Sequence, residues 1–130
     1  MPNVAIKVAL VRNGRVLCIK RSSTEEWCEE LWDLPGGRVE DGEDVYDAIQ
    51  RELKEEIGVA PELDFIPVRV WSVKERNLIG ITFMAQVGEL EIKLGPEHTE
   101  YRWISKEELA SLPMHPGLRK DIEKVFELQG

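Results

Sequence analysis

Apolar and polar residues alternate at the start of the chain. Every second residue from Val4 to Leu10 is apolar, which is the two-residue period of a β-strand. Asn13-Gly14 follows, a hairpin signal because both residues tolerate a positive φ. Residues 15–20 then read as the returning strand. The pattern therefore predicts an N-terminal β-hairpin.

The period changes in the middle of the chain. Within residues 44–57 an apolar residue recurs at every fourth position, which predicts an amphipathic helix. Gly58 follows and supplies a C-terminal stop. Between hairpin and helix, residues 21–35 carry mixed charge and two tryptophans. They are predicted to form a loop that closes on the Leu-Pro-Gly-Gly segment at 34–37.

The second half of the chain predicts strands first and helices last. Two strands are predicted at 66–73 and 78–87, and a short strand at about 101–104. A capping box from Ser105 to Glu108 then opens a helix, and a final amphipathic helix covers about 117–128. The whole chain, residues 1–130, is therefore predicted to be one α/β domain with a mixed sheet covered by helices.

Composition and charge narrow the class of protein. With 42% hydrophobic and 32% charged residues the balance is that of a soluble globular protein. No apolar run approaches the roughly 20 residues that span a bilayer, and the N-terminal segment contains Lys7 and does not read as a secretory signal. We therefore expect a cytoplasmic protein without a membrane partner. Cys18 and Cys28 are expected to be reduced thiols, with a disulfide as the alternative.

The formal net charge of -8 argues against a nucleic-acid polymer as partner, since binding to its backbone needs a basic surface. A small phosphorylated ligand that arrives with divalent cations remains compatible with an acidic protein. Glu52, Glu55 and Glu56 lie at i, i+3 and i+4 of the predicted helix and share one of its faces. Carboxylate oxygens are what Mg²⁺ or Mn²⁺ prefers, but a solvated acidic face would look the same.

The surrounding residues resolve that ambiguity. They follow the pattern G-x5-E-x7-R-E-L-x-E-E-x-G-V, which is the complete box of the MutT-like Nudix hydrolases. The residues that carry this resemblance are Gly37, Glu43, Arg51, Glu52, Leu53, Glu55, Glu56, Gly58 and Val59. The chain is thus similar to that family, and the order of its predicted elements extends the similarity over nearly the whole sequence.

The resemblance implies an α/β/α sandwich and a set of metal ligands. The carbonyl of Gly36 and the carboxylates of Glu52 and Glu56 are expected to hold Mg²⁺, which Mn²⁺ can replace, with Glu55 close by. A loop normally adds a fourth carboxylate. Here the loop offers Glu97 and Glu100, of which Glu97 fits the family spacing better.

Other roles also follow from the resemblance. Gly37 is expected to let the backbone approach the ligand, and Glu43 and Arg51 are expected to pair and fix the loop against the helix. His98 occupies a place where a family member can use a general base, although an exposed loop histidine is the favoured interpretation.

Two residues are predicted to contact the substrate. Arg21 is expected to contact phosphate. Some family members carry a second basic residue next to it, where this chain has Ser22, so Lys20, Arg69 or Arg76 are the alternative sources of phosphate contact. Trp71, which shares a strand face with Arg69, is the candidate for stacking on a base.

The implied reaction is hydrolysis of a nucleoside diphosphate-X to a nucleoside monophosphate and phosphate-X, with one to three Mg²⁺ neutralising the developing charge. Glu52 or a loop glutamate would take the proton from the attacking water. A nucleoside triphosphate, including an oxidised one, is the default substrate, giving monophosphate and pyrophosphate. The alternative is a non-catalytic Nudix-fold module that senses a nucleotide. A monomer and a homodimer are both compatible with the sequence.

Overall fold

The computed structural model describes residues 1–23 and 30–129. Within them the chain forms seven strands, in order β1 (Asn3–Arg12), β2 (Arg15–Arg21), β3 (Trp32–Asp33), β4 (Gly36–Arg38), β5 (Ile66–Val73), β6 (Leu78–Gln86) and β7 (His98–Ile104). The helices are α1 (Val45–Ile57), α2 (Lys106–Leu109) and α3 (Pro116–Gln129), and a 3₁₀ turn at Lys74–Arg76 joins β5 to β6.

The N-terminal hairpin is confirmed. Asn13 and Gly14 both have positive φ, 50° and 74°, and Arg12 pairs directly with Arg15 across them. A two-residue connection of this kind matches the right-handed twist of the two strands. The Asn-Gly pair therefore fixes the register of β1 against β2.

The sheet is mixed and is built around β1. Strand β6 runs parallel to β1 along nearly its whole length, and β5 pairs antiparallel with the far side of β6. On its other side, β1 pairs antiparallel with β4 at residues 5–7 and with β2 at residues 11–12. Strands β3 and β7 both pair antiparallel with β2. This arrangement places β4 directly beside the middle of the sheet.

Helix α1 begins and ends at capping residues. The side chain of Asp44 accepts a hydrogen bond of 2.8 Å from the Tyr46 N–H. Gly58 adopts a left-handed conformation with φ of 76° and donates its N–H to the Lys54 carbonyl. Both caps satisfy backbone groups that the helix itself leaves unpaired. The predicted helix and its glycine stop are therefore confirmed.

Each face of the sheet carries its own core. Helix α1 packs on one face, where Ile49, Leu53 and Ile57 meet apolar residues from the central strands. Helices α2 and α3 cover the opposite face through residues that include Leu118 and Ile122. The predicted α/β/α sandwich with a mixed sheet is thereby confirmed, and the final helix buries the side that its sequence period predicted.

Three short segments differ from the prediction. The expected loop 21–35 contains strand β3. The two glycines on which that loop was expected to close, Gly36 and Gly37, belong to strand β4, paired with β1. Strand β7 begins at His98, three residues before the predicted start. Strands of two or three residues are too short to show a period, and an irregularity in the β2–β7 register masks the alternation at the start of β7.

Two of the tryptophans and one of the two cysteines belong to the cores. Trp32 is 5% exposed and belongs to the core under α3, whereas Trp103 is partly buried on the α1 side. Cys18 is fully buried, and burial raises the pKa of its thiol. Trp27 and Cys28 lie outside the described residues, so the predictions for them stay open. Among the described residues, no helix has the length and apolar character needed to cross a membrane.

Candidate active site

The glutamates of α1 differ sharply in burial. The side chains of Glu52 and Glu56 are 13% and 8% exposed, whereas that of Glu55 is 59% exposed. Strand β4 lies over the buried pair, and the Gly36 N–H donates a 2.7 Å hydrogen bond to Glu56 Oε1. At Gly37 an added Cβ would lie 2.5 Å from Glu52 Oε1. Only glycine therefore leaves room for the Glu52 carboxylate where it lies.

Arg51 holds the start of this site together. Its Nε and Nη2 donate hydrogen bonds of 2.8 and 2.9 Å to the two carboxylate oxygens of Glu43. Its Nη1 donates a 2.8 Å bond to Glu52, and Nη2 also reaches the Arg38 carbonyl. A guanidinium pairs with a carboxylate in this two-pronged way with fixed geometry. Arg51 thereby orients Glu52 and lowers the pKa of Glu43 to about 2.

Burial disfavours the negative charge of the Glu52 and Glu56 carboxylates. It raises the pKa of Glu56 to about 8, although attraction by Lys7 and the Gly36 hydrogen bond oppose the change. Burial also raises the pKa of Glu52, against the opposing effect of Arg51. A divalent cation would supply the missing positive charge and accept the carboxylate oxygens. The residues present fit such an ion.

The segment after residue 90 brings further ligands to α1. The Lys93 N–H donates to the Ile57 carbonyl and the Gly95 N–H to the Glu56 carbonyl, at 2.9 and 3.1 Å. An added Cβ at Gly95 would lie 2.3 Å from the Glu55 carbonyl oxygen, so the segment can pass this close to the helix only with glycine there. These contacts use the helix's free C-terminal carbonyls and set Glu97 beside the acidic face.

His98 is buried, and the expectation of an exposed loop histidine was wrong. Its residue exposure is 5% because it starts β7 opposite Arg21 and is not part of a free loop. Ligand atoms of Glu56, Glu97 and His98 all lie within 4.8 Å of one another. Burial lowers the pKa of His98 to about 4, so the imidazole is neutral at neutral pH. Together with Glu55, these three side chains line a cavity of about 280 Å³.

Glu100 lies on the other side of the sheet. It shares a strand face with Arg102, since they are two residues apart on β7, and their side chains approach to 4.0 Å. Arg102 stacks over the ring of Trp32, which belongs to the core under α3. Of the two loop carboxylates, Glu97 is therefore the one brought to Glu56. Its role as a metal ligand stays a prediction.

A lysine that sequence reasoning passed over lies next to the site. Lys7 Nζ donates to Asp33 Oδ2 at 2.9 Å, and Arg21 Nη1 approaches the same oxygen at 3.7 Å. The pKa of Lys7 is raised, because attraction by Asp33 and Glu56 outweighs the lowering effect of burial. A charged residue inside an otherwise apolar strand was the available signal. Asp33 had none, since its partners are brought together only by the sheet.

A second cavity, of about 250 Å³, opens on the α3 side of the sheet. It is lined by the predicted substrate residues Arg21 and Trp71, and also by Lys7, Arg69 and Gly37. Gly37 borders this cavity and also lies against the Glu52 carboxylate. The structure thus places the candidate phosphate and base contacts in one space that reaches the acidic site.

Buried polar residues hold the wall of this second cavity. The Trp71 indole N–H donates to Thr82 Oγ1 at 2.9 Å, and the Thr82 hydroxyl donates to Asp121 Oδ2 at 2.7 Å. Arg69 donates from Nε to the other oxygen of Asp121. The six-membered ring of Trp71 lies against Gly80, where a Cβ would come within 2.2 Å of it. The indole and the guanidinium are therefore both fixed before a ligand arrives.

Comparison with known proteins identifies the family of this chain. The model of the NUDIX domain family matches residues 1–127. An ADP-ribose pyrophosphatase of Methanocaldococcus jannaschii is 32% identical over 130 residues, which cover 97% of this chain and 72% of that protein. The nucleoside triphosphatase NudI of Escherichia coli is 28% identical over 87% of this chain and 89% of that protein.

Two further matches bear on extent and fold. The 8-oxo-dGDP phosphatase NUDT18 of Mus musculus is 41% identical over 81 residues, which are 62% of this chain but 23% of that protein. The crystal structure of a MutT NUDIX hydrolase from Burkholderia pseudomallei is 31% identical, with a TM-score of 0.78 over 96% of this chain and 98% of that one. The match to the family model over nearly the whole chain and the shared fold lead to one conclusion: this chain belongs to the NUDIX family, among relatives that are MutT-like Nudix hydrolases.

Proposed function

We propose that this protein is a divalent-cation-dependent hydrolase that cuts a phosphoanhydride bond in a nucleoside diphosphate-X, releasing a nucleoside monophosphate and phosphate-X. One observation carries the proposal. The buried carboxylate of Glu56 lies close to Glu97, and the buried carboxylate of Glu52 lies against Gly37, which borders a cavity lined by cationic side chains. A phosphate chain extending from that cavity would reach the carboxylates together with its cations.

The proposed ligands for Mg²⁺, which Mn²⁺ can replace, are Glu52, Glu56, Glu97 and the Gly36 carbonyl, with Glu55 at the rim. These residues would hold a cation whose chemistry would be to lower the pKa of a bound water and to neutralise charge that develops on phosphate oxygens. The buried, desolvated carboxylates support this assignment, since they lack full compensation within the protein.

The chain's own residues supply positioning and proton transfer. Arg51 holds Glu52 through its paired contact with Glu43, so that one carboxylate oxygen is fixed and the other is left for a ligand. Glu52 or Glu97 takes the proton from the attacking water. Both belong to the acidic site, and within the described residues neither carboxylate accepts a hydrogen bond from a backbone N–H.

Substrate contacts are proposed from the α3-side cavity. Arg21 contacts a phosphate, and Trp71 stacks on the base with its rigid indole. Lys7, Arg69 and Arg76 line the same cavity and add positive charge for a polyphosphate. We propose a nucleoside triphosphate as substrate, including an oxidised one. The relatives named for ADP-ribose, 8-oxo-dGDP and nucleoside triphosphates set the panel of compounds to compare.

The test is a screen of that panel with the purified protein and Mg²⁺, in which the products are identified by mass. The proposal expects a monophosphate and phosphate-X from at least one compound. Running the reaction in ¹⁸O-labelled water shows which phosphorus was attacked, because the label stays with one product. Tight binding of a nucleotide without any turnover would favour a sensing module over a hydrolase.

A further inference from the structure

The imidazole ring of His98 is buried and unpaired within the part of the chain that the structure describes. Its side chain is 1% exposed, and neither Nδ1 nor Nε2 has a hydrogen-bond partner among the described residues. A buried polar group left unpaired costs about 1–3 kcal/mol. Such groups are rare, and strain, a catalytic role, an ordered water or a bound ion accounts for them. The histidine therefore calls for a ligand that can accept its lone pair or its proton.

The surroundings of the ring point to a cation. Nδ1 lies 4.0 Å from Glu56 Oε2, and a ligand atom of Glu97 completes a group whose members all lie within 4.8 Å of one another. Two atoms that each lie about 2.0–2.2 Å from one ion are at most about 4.4 Å apart. The spacing within the group is thus close to that of one ion's ligands, and the exposed side chain of Glu97 can supply the remaining movement.

The carboxylate of Glu56 is oriented to serve this group. Its Oε1 is held by the Gly36 N–H, which leaves Oε2 facing the imidazole. Glu52, by contrast, is held by Arg51. The two oxygens of Glu56 can therefore belong to different surroundings, one next to β4 and one next to His98.

We propose that His98 is a metal ligand and that Glu56, Glu97 and His98 form a mixed nitrogen–oxygen site. This proposal rests on the proposed function, which assigns Glu56 and Glu97 as metal ligands. Imidazole nitrogen suits transition metals such as Zn²⁺, whereas Mg²⁺ favours oxygen. The site therefore takes Co²⁺ or Zn²⁺ in preference to Mg²⁺, while the oxygen ligands around Glu52 serve Mg²⁺.

Calorimetric titration of the metal-free protein with Co²⁺ and, separately, with Mg²⁺ tests this assignment. His98→Gln should weaken Co²⁺ binding by at least about tenfold, which even the loss of an outer-sphere partner can cost. Its Mg²⁺ affinity should stay the same. His115→Gln is the matched control, because the chain has only two histidines and the ring of His115 is bonded to the Gly117 N–H. Equal Co²⁺ affinity in wild type and His98→Gln would overturn the proposal.

A measurement on the wild-type protein keeps the test valid if the variant fails to fold. In ¹⁵N spectra of labelled histidine rings, one equivalent of Zn²⁺ should shift one nitrogen of His98 and leave His115 unchanged. Zn²⁺ binding that leaves the His98 ring unaltered would refute the site. The two proposals can fail separately. Mg²⁺-dependent turnover without a change at His98 would refute only the histidine ligand, and a change at His98 without turnover would refute only the proposed hydrolase activity.

Discussion

Glu56→Gln should stabilise the metal-free protein at neutral and alkaline pH while removing its response to divalent cations. The substitution keeps the shape of the side chain, and its amide oxygen can still accept the Gly36 hydrogen bond. It removes the charge that burial disfavours and that a cation needs. A residue that serves a ligand at the expense of the fold should behave in this way.

The pH dependence follows from the pKa of Glu56, which is about 8 in the folded protein against an ordinary 4.5. The folded state holds the proton more tightly, so ionisation destabilises it. The penalty is absent below about pH 4.5, grows between the two pKa values and is complete above about pH 8. Each unit of difference between the folded and unfolded pKa corresponds to about 1.4 kcal/mol, so the loss of folding free energy is about 3 kcal/mol at pH 7 and about 5 kcal/mol at its maximum.

Urea unfolding in excess chelator measures this penalty at several pH values between about 5 and 8. The free energy of unfolding of Glu56→Gln should rise relative to wild type by about 3–4 kcal/mol over that range. Glu62→Gln, the same change at an exposed position, should show no such rise. Added Mg²⁺ should then raise the midpoint of thermal unfolding in wild type but not in Glu56→Gln. If the difference in unfolding free energy between wild type and Glu56→Gln stayed constant from pH 5 to pH 8, the raised pKa of Glu56 would be wrong.

Three further predictions address the site and the cavity. Glu97→Gln should lower kcat strongly with little change in KM, whereas Glu100→Gln should have a mild effect because the Glu100 side chain lies on the other face of the sheet. Steady-state kinetics at saturating Mg²⁺ compares the two variants, and a severe loss in Glu100→Gln would make Glu100 the loop ligand instead of Glu97. Gly37→Ala should weaken Mg²⁺ binding in calorimetry without unfolding the protein, because its Cβ displaces the flexible end of Glu52; unchanged affinity would contradict this contact. Trp71→Ala should raise KM for the nucleotide more than it lowers kcat, and an unchanged KM would remove it from the base subsite.

Periodic apolar patterns made the framework predictable from the sequence. Strand β5 has the predicted bounds, and α1 with its Gly58 cap lies where the four-residue period placed it. The box motif additionally carried information that periodicity lacks, since it related the acidic face of α1 to a known family. These features depend on residues close together in the chain, so local sequence determines them.

The parts that depend on distant residues could not be predicted. Lys7 meets Asp33 across 26 positions, and only the pairing of the strands brings them together. His98 is polar and lies between two glutamates, so its burial follows from the start of β7 and from the contact of Gly95 with α1, neither of which has a local signal. The network of Thr82 and Asp121 is hidden for the same reason.

Hydrolysis of the preferred nucleotide should be measured with free Mg²⁺, in excess chelator, and after Mg²⁺ is restored. Wild-type protein should release a nucleoside monophosphate with Mg²⁺, stop in excess chelator and resume when Mg²⁺ is restored. Under the same conditions Glu56→Gln should remain folded but release orders of magnitude less product. Undiminished hydrolysis in excess chelator, or full activity of Glu56→Gln, would contradict the assignment of this acidic cluster as the catalytic metal site.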